Sequence, residues 1–169
     1  MRAKTFENQT VLDRSGHRTL RCKKILVPID FSAPSKNAFN YAVRIAEAFG
    51  AELTLLYVLE PESMTGCMAI SEATAFVESD IIAAGKNLRS LIGSVRDLKI
   101  ARPRWKVRAG VAPHEIVETA KELDADLIVV ATHGYTGWKH FCIGSTAERV
   151  VRAAPCSVLI VREKEHEFC

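Results

Sequence analysis

No apolar run in this chain approaches the roughly 18 residues a membrane-spanning helix needs. The longest, Leu127 to Ala131, has the length of a buried strand. The first residues carry charges but no apolar stretch of the secretory kind, so no signal peptide is expected. Cysteine is sparse and unpaired in spacing: Cys22, Cys67, Cys142, Cys156 and Cys169 make an odd, scattered set. That argues against a disulfide framework and for reduced thiols in a cytoplasmic setting. Neither G-x-x-x-x-G-K-[ST] nor G-x-G-x-x-G occurs, so a P-loop and a dinucleotide Rossmann site are both excluded as readings. What is present is ordinary for a globular protein: 169 residues, 48% hydrophobic and 25% charged. One domain of this size buries about two-thirds of its unfolded surface and needs no staple.

Charge is uneven. Residues 1–24 hold Arg2, Lys4, Arg14, Arg18, Arg21, Lys23 and Lys24 against Glu7 and Asp13, a net of +5. The whole chain is +3, so the remainder is −2. A nucleic-acid-binding fold carries its basic face on the body, and this body is mildly acidic. The segment 1–21 also lacks a periodic apolar pattern and reads as an N-terminal extension. Residues 22–163 read as one α/β domain and 164–169 as a tail.

Strands and helices alternate along that domain. Lys24 to Asp30 is an apolar run ending in a carboxylate, a buried strand whose Pro28 cannot donate a ladder bond, so pairing must loosen there. Ser32 is placed to cap a helix with Pro34 in its first turn. Ala38, Ala42, Ile45 and Phe49 follow at helical spacing, and Gly50 stops the helix. Leu53 to Val58 is a second strand. Residues 68–92 predict a helix with Phe76, Ile81, Ile82, Leu88 and Ile92 apolar, weakened by about 1 kcal/mol at Gly85. Trp105 to Arg108 is a weak strand. Pro113 opens a helix with Ile116, Val117, Ala120 and Leu123 on one face, and Asp126 to Ala131 is the strongest strand. Ser145 to Ala154 is a helix stopped by Pro155, and Ser157 to Val161 a last strand. The pattern implies a single open parallel sheet with helices on both faces. Its ligand crevice lies beyond the carboxyl ends of the strands, at the switch point, where Pro28-Ile29-Asp30 meets the loop after the fourth strand.

That loop, residues 131–148, carries Gly134, Gly137 and Gly144 and ends at a helix start. Free amides of Ser145, Thr146 and Ala147 would face outward there, where the helix dipole favours an anion. The same residues also read as a capping box, Ser145 capping and Glu148 reaching back, which needs no ligand. His133, His140 and Cys142 fit no structural zinc spacing. Tyr135, Trp138 and Phe141 suit packing as well as stacking. Lys139 could neutralise a phosphate, and Cys142 could act as a redox sensor beside Lys139 or His140 or be inert. A carboxylate ending an apolar strand is costly unless solvated or bound, which singles out Asp30.

The chain resembles the universal stress protein family across residues 22–163. The marks are Lys24-Ile-Leu-Val-Pro-Ile-Asp-Phe-Ser32, Gly110-Val-Ala-Pro-His-Glu-Ile116, Ala125-Asp-Leu-Ile-Val-Val-Ala-Thr-His-Gly134, Gly144-Ser-Thr-Ala-Glu-Arg-Val150 and Ala154-Pro-Cys-Ser-Val-Leu-Ile-Val161. The resemblance implies a doubly wound five-stranded parallel sheet ordered 3-2-1-4-5 and a homodimer joined through the last strand. It also implies an adenine nucleotide, ATP carried with Mg²⁺. Pro28, Ile29, Asp30 and Val58 would line the adenine and ribose end; Gly134, Gly144, Ser145 and Thr146 would hold the phosphates; Val130, Ala131 and His133 belong to the same site. Asp30 would accept from ribose hydroxyls or sit near the metal. Nucleotide-binding members carry G-x-x-G-x9-G-[ST], and Ala131 stands here at the first glycine. Its methyl fits if the backbone keeps a negative φ and crowds the phosphates if the site needs close approach.

No paired carboxylates flank the loop, and no nucleophile–base pair is set by local spacing, so catalysis beyond slow hydrolysis has no visible machinery. The expected activity is a nucleotide-binding regulatory switch in the stress response. A dimeric interaction module without nucleotide, and a true nucleotide-dependent transferase or hydrolase, are the alternatives.

Overall fold

The computed structural model describes residues 11–12, 18–19, 21–60, 70–95, 99–101, 103–132 and 144–162. In the N-terminal extension, β1 (Val11–Leu12) and β2 (Arg18–Thr19) pair antiparallel. The body alternates β3 (Lys24–Pro28), α1 (Ala33–Phe49), β4 (Glu52–Leu59), α2 (Ile70–Ser94), β5 (Arg104–Ala109), α3 (Ala112–Leu123), β6 (Leu127–Ala131), α4 (Ser145–Ala153) and β7 (Ser157–Val161). Its five strands form one parallel sheet, β5-β4-β3-β6-β7. Counted within the sheet this is 3-2-1-4-5, the expected order. β3 is the switch point, the first strand, with the chain growing outward on both sides of it.

Two apolar layers sandwich the sheet. Ile25, Val27, Leu53, Leu55 and Val129 pack with Ala38, Phe39 and Ala42 of α1 and Leu88 and Ile92 of α2. Leu26, Leu56, Ile128 and Val130 pack with Ile116 and Ala120 of α3 and Ala147 and Val150 of α4. This is the two-residue alternation of a strand covered on both faces.

Local signals explain the helix boundaries. Ser32 caps α1, its hydroxyl accepting from the Ser35 amide at 3.2 Å, and Gly50 ends α1 in the left-handed conformation (φ 64°). At the other end of the sheet, Asp126 Oδ2 accepts from the amides of Lys23 (2.7 Å) and Lys24 (3.0 Å), tying the entrances of β6 and β3 together. Lys24 Nζ donates to the Leu123 carbonyl at the end of α3.

Two helical faces differ from the sequence reading. Phe49 is 47% exposed because it is the last residue of α1, past the end of the buried stripe through Ala38, Phe39, Ala42 and Ala46. Ile81 and Ile82 are exposed too: Ile82 lies off the stripe of Ala84, Leu88 and Ile92, and Ile81 lies in line with it but ahead of Ala84, the first of its described buried residues. Gly85, costly for a helix, makes room for an aromatic ring. A Cβ there would sit 2.9 Å from the Trp105 ring, over which the Arg89 guanidinium lies at 5.9 Å.

The sheet edges are unlike. β5 carries Arg104, Lys106 and Arg108, paired with Glu52, Glu122 and Glu115. β7 reads Ser-Val-Leu-Ile-Val with no charge, and Val158, Leu159 and Ile160 are half-buried. No helix among the described residues is long and apolar enough to cross a membrane.

Cys22 and Cys156 are free and half-buried ahead of β3 and β7. Burial and then the Asp126 charge push both thiols up, Cys156 to about 11 with a further contribution from Cys22. A raised thiol value means the fold favours the protonated form. That contribution is whole below the ordinary 9.0 and is lost as pH climbs toward about 11. Iodoacetamide should therefore label Cys156 more slowly than a free peptide thiol at neutral pH, with a rate still rising above pH 9.0. A rate that levels off at or below that pH would contradict the burial.

Candidate functional site

The gap at the carboxyl end of β3 is built by backbone. In an extended strand the N–H and C=O of one residue point the same way, and the residue two along repeats that direction. The Ile29 amide donates to the Leu56 carbonyl at 2.8 Å, the last bond between the β3 segment and β4. Leu56 thus faces β3, and so does Val58, which lies past the end of β3. The Val58 amide and carbonyl look into the gap. On the other side, Thr132 donates to the Val161 carbonyl at 3.0 Å, so even residues of β6 face β7 and odd residues face β3. The register between β3 and β6 stops at Leu26↔Ile128, so the polar backbone of Ala131 borders the gap from the opposite side.

Asp30 closes the floor. It is half-buried, and its Oδ1 accepts from the Ser32 amide (3.0 Å) and hydroxyl (2.5 Å). Among the described residues no donor is placed on Oδ2. Phe31 has φ 64°, a left-handed conformation that is unusual for an aromatic residue. The Ser32–Asp30 bonds on one side of it and a tilted ring contact with Tyr57 on the other (centroids 5.1 Å apart) hold it there. Burial, then the Asp80 and Asp30 carboxylates, push the Tyr57 phenol up from its ordinary value.

The start of α4 is the third wall. Gly144 donates to the Thr132 carbonyl at 2.8 Å, so the helix start is moored beside the end of β6. The capping box is not formed. The cap position is Gly144, one residue earlier than expected, and it makes no side-chain cap bond. Glu148 instead takes Arg152, at 2.9 Å to the guanidinium, and its own amide donates to the Gly144 carbonyl. The amides of Ser145, Thr146 and Ala147 are left without helical acceptors. Ser145 is exposed, and its hydroxyl is not spent on the helix.

The starts of α1 and α3, at the same edge, are closed. Ser32 caps α1. Glu60, which the sequence reading missed, accepts from the Ala112 amide at 2.8 Å and closes α3. A charged residue outside the helix, one position past the end of a strand, leaves no capping signature in sequence. Gly110, in the middle motif, serves the same corner: φ is 151°, and a Cβ would lie 2.9 Å from Glu115.

The expected residues thus divide. Pro28, Asp30, Val58 and Ala131 border the gap by strand register, and Gly144, Ser145 and Thr146 begin the helix moored beside the end of β6. Ile29 is buried with its amide used by Leu56, and Val130 is buried on the α3–α4 side, so both support the gap from beneath. His133 and Gly134 lie outside the described residues, as do Tyr135, Trp138, Lys139, His140, Phe141 and Cys142. Ala131 has no positive φ, and its side chain belongs to the apolar layer under α1, across the sheet from α4. Among the described residues no three His, Cys, Asp or Glu side chains gather as a metal site.

Fold and site define a class: a doubly wound α/β domain with a helix start moored beside its switch point. Comparison with known proteins agrees. The model of the universal stress protein family matches residues 21–162. A universal stress protein of Methanocaldococcus jannaschii is 34% identical over 146 residues, covering 86% of this chain and 85% of the relative. Among solved structures, the universal stress protein UspA of Lactobacillus plantarum has a TM-score of 0.76 at 30% identity, covering 85% of this chain and 100% of that one. A universal stress protein solved in complex with cAMP shares the fold, with a TM-score of 0.58 at 22% identity over 86% of this chain and 100% of that one. The chain belongs to the universal stress protein family.

Replacing Phe31 tests how the floor is held. Phe31→Ala and Phe31→Gly both lose the ring, but only glycine is unstrained at φ 64°. Urea denaturation should find Phe31→Gly more stable than Phe31→Ala by about 1 kcal/mol. Equal stability, or the reverse order, would show that the left-handed turn is not imposed.

Proposed function

We propose that this protein is a stress-response regulator that binds an adenine nucleotide, ATP, in the gap between β4, β3 and β6 and the start of α4. It works as a binding switch with at most slow hydrolysis. The observation that carries the reading is the contrast between helix starts. α1 and α3 are closed by Ser32 and Glu60, while at α4 no side chain among the described residues is placed across the first amides or the hydroxyls of Ser145 and Thr146. Such a start favours phosphate.

The other walls suit the rest of the ligand. Val58 presents a donor and an acceptor side by side, the complement of the adenine edge that reads acceptor and donor. Asp30 Oδ2 can accept from ribose hydroxyls. Gly134 and His133 complete the loop side in this reading. The methyl of Ala131 packs under α1 and does not oppose the phosphates. Mg²⁺ arriving with ATP shares the phosphate charge, and Asp30 is the carboxylate at hand for it. Glu148 is engaged with Arg152, and no second carboxylate stands beside it among the described residues, which favours binding over turnover. ATP and ADP then differ through the terminal phosphate, and that difference biases the state shown to partners.

The protein is read as a cytoplasmic homodimer formed through β7. A long uncharged edge invites pairing, and the other edge is guarded by Arg104, Lys106 and Arg108. The same edge favours a second reading, a dimeric interaction module that needs no nucleotide.

Isothermal titration with ATP–Mg²⁺ at high micromolar protein separates the two. Binding heat is expected, with only trace phosphate release. Gly144 has φ −58°, so Gly144→Trp adds bulk at the cradle without backbone strain. It should weaken binding at least about tenfold while circular dichroism stays unchanged. No heat from the wild type, with partner binding unaffected by Gly144→Trp, would establish the second reading instead.

A further inference from the structure

We infer that Pro28 is a positioning residue that keeps the gap open by withholding one ladder bond; the inference rests on the nucleotide-binding reading of that gap. Odd residues of the β3 segment face β4, as the Ile29-to-Leu56 bond shows, so even residues face β6. Odd residues of β6 face β3. After Leu26↔Ile128, the next bond between these strands would run from the amide of residue 28 to the carbonyl of Val129. Proline has no N–H.

The consequence is one-sided. Pairing with β4 continues through Pro28↔Leu56, because that edge asks nothing of the nitrogen of residue 28. Pairing with β6 stops two residues sooner, at Leu26↔Ile128. The strands therefore part between Asp30 and Ala131. Beyond this point the left-handed turn at Phe31 leads the chain into α1. With an N–H at position 28, β3 could zip further along β6, setting residue 28 beside Val130 and residue 30 beside Thr132. That pairing would occupy the backbone of Ala131 and draw Asp30 toward the moored start of α4.

Pro28→Ala supplies the missing donor and should tighten the sheet as it closes the site. Three results are expected together. ATP–Mg²⁺ affinity falls at least about tenfold by titration calorimetry. The urea midpoint does not fall below that of the wild type. The residue-28 amide, followed by NMR hydrogen exchange, becomes protected as a ladder amide is. Pro28→Val carries the same donor on a strand-favouring side chain and serves if the alanine variant does not fold. The hydroxy-acid counterpart of alanine at position 28 also lacks both the ring and the N–H, and it should restore wild-type affinity. Undiminished affinity of Pro28→Ala, or a residue-28 amide that exchanges like an exposed loop amide, would overturn the inference. A wild type that takes up no ATP would instead remove the proposed function, and amide exchange alone would then decide the ladder.

Discussion

Parallel strands are held by a continuous ladder of amides and carbonyls, and in this protein the ladder between β3 and β6 ends where Pro28 has no N–H to contribute. Much of the site follows from that interruption. The Val58 backbone faces a space that β3 has left, and the Ala131 backbone faces the same space from β6. Asp30 sits between them with one oxygen engaged by Ser32 and no donor on the other among the described residues. The fold's carboxyl edge thereby gains a cleft lined by main-chain groups, whose positions depend little on side-chain identity.

A second constraint brings charge preference to that cleft. The bond from Gly144 to the Thr132 carbonyl fixes the start of α4 against the end of β6. Thr132 also donates to Val161 at the end of β7. One residue therefore joins the helix start, the end of β6 and the uncharged edge strand. A ligand held at the first amides of α4, as proposed, would pull on the same residue that bonds to the edge proposed for dimerisation. The starts of α1 and α3 sharpen the contrast: side chains of the fold accept from amides there, and among the described residues none is placed on the first amides of α4.

The fold was largely legible because its signals are local. Apolar runs such as Leu127 to Ala131 show a strand, and Ser32, Pro34 and Gly50 mark helix ends through their own backbone chemistry. The misreadings came where tertiary packing chooses among apolar residues. Periodicity alone could not show that burial on α1 stops short of Phe49, or that Ile81 and Ile82 on α2 are exposed. Gly85 read as a weak point until the Trp105 ring was seen lying on it. In the site, Pro28 and Asp30 were visible because each breaks the rule of its surroundings. For Ser145 the sequence left two readings open, since a capping box and a moored start one position earlier share one sequence. Glu60 was invisible, because its partner Ala112 is distant in sequence. Ala131 could be judged only once its side chain was placed under α1 rather than beside α4.

The most direct test follows the main-chain amides themselves. Nitrogen–proton correlation spectra of the labelled protein, recorded through a titration with ATP–Mg²⁺, should show the largest shifts at Val58, Ser145 and Thr146, with β5 and α3 unmoved. Saturating shifts confined to other surfaces, or no shifts at excess nucleotide, would contradict a polyanion site at the start of α4.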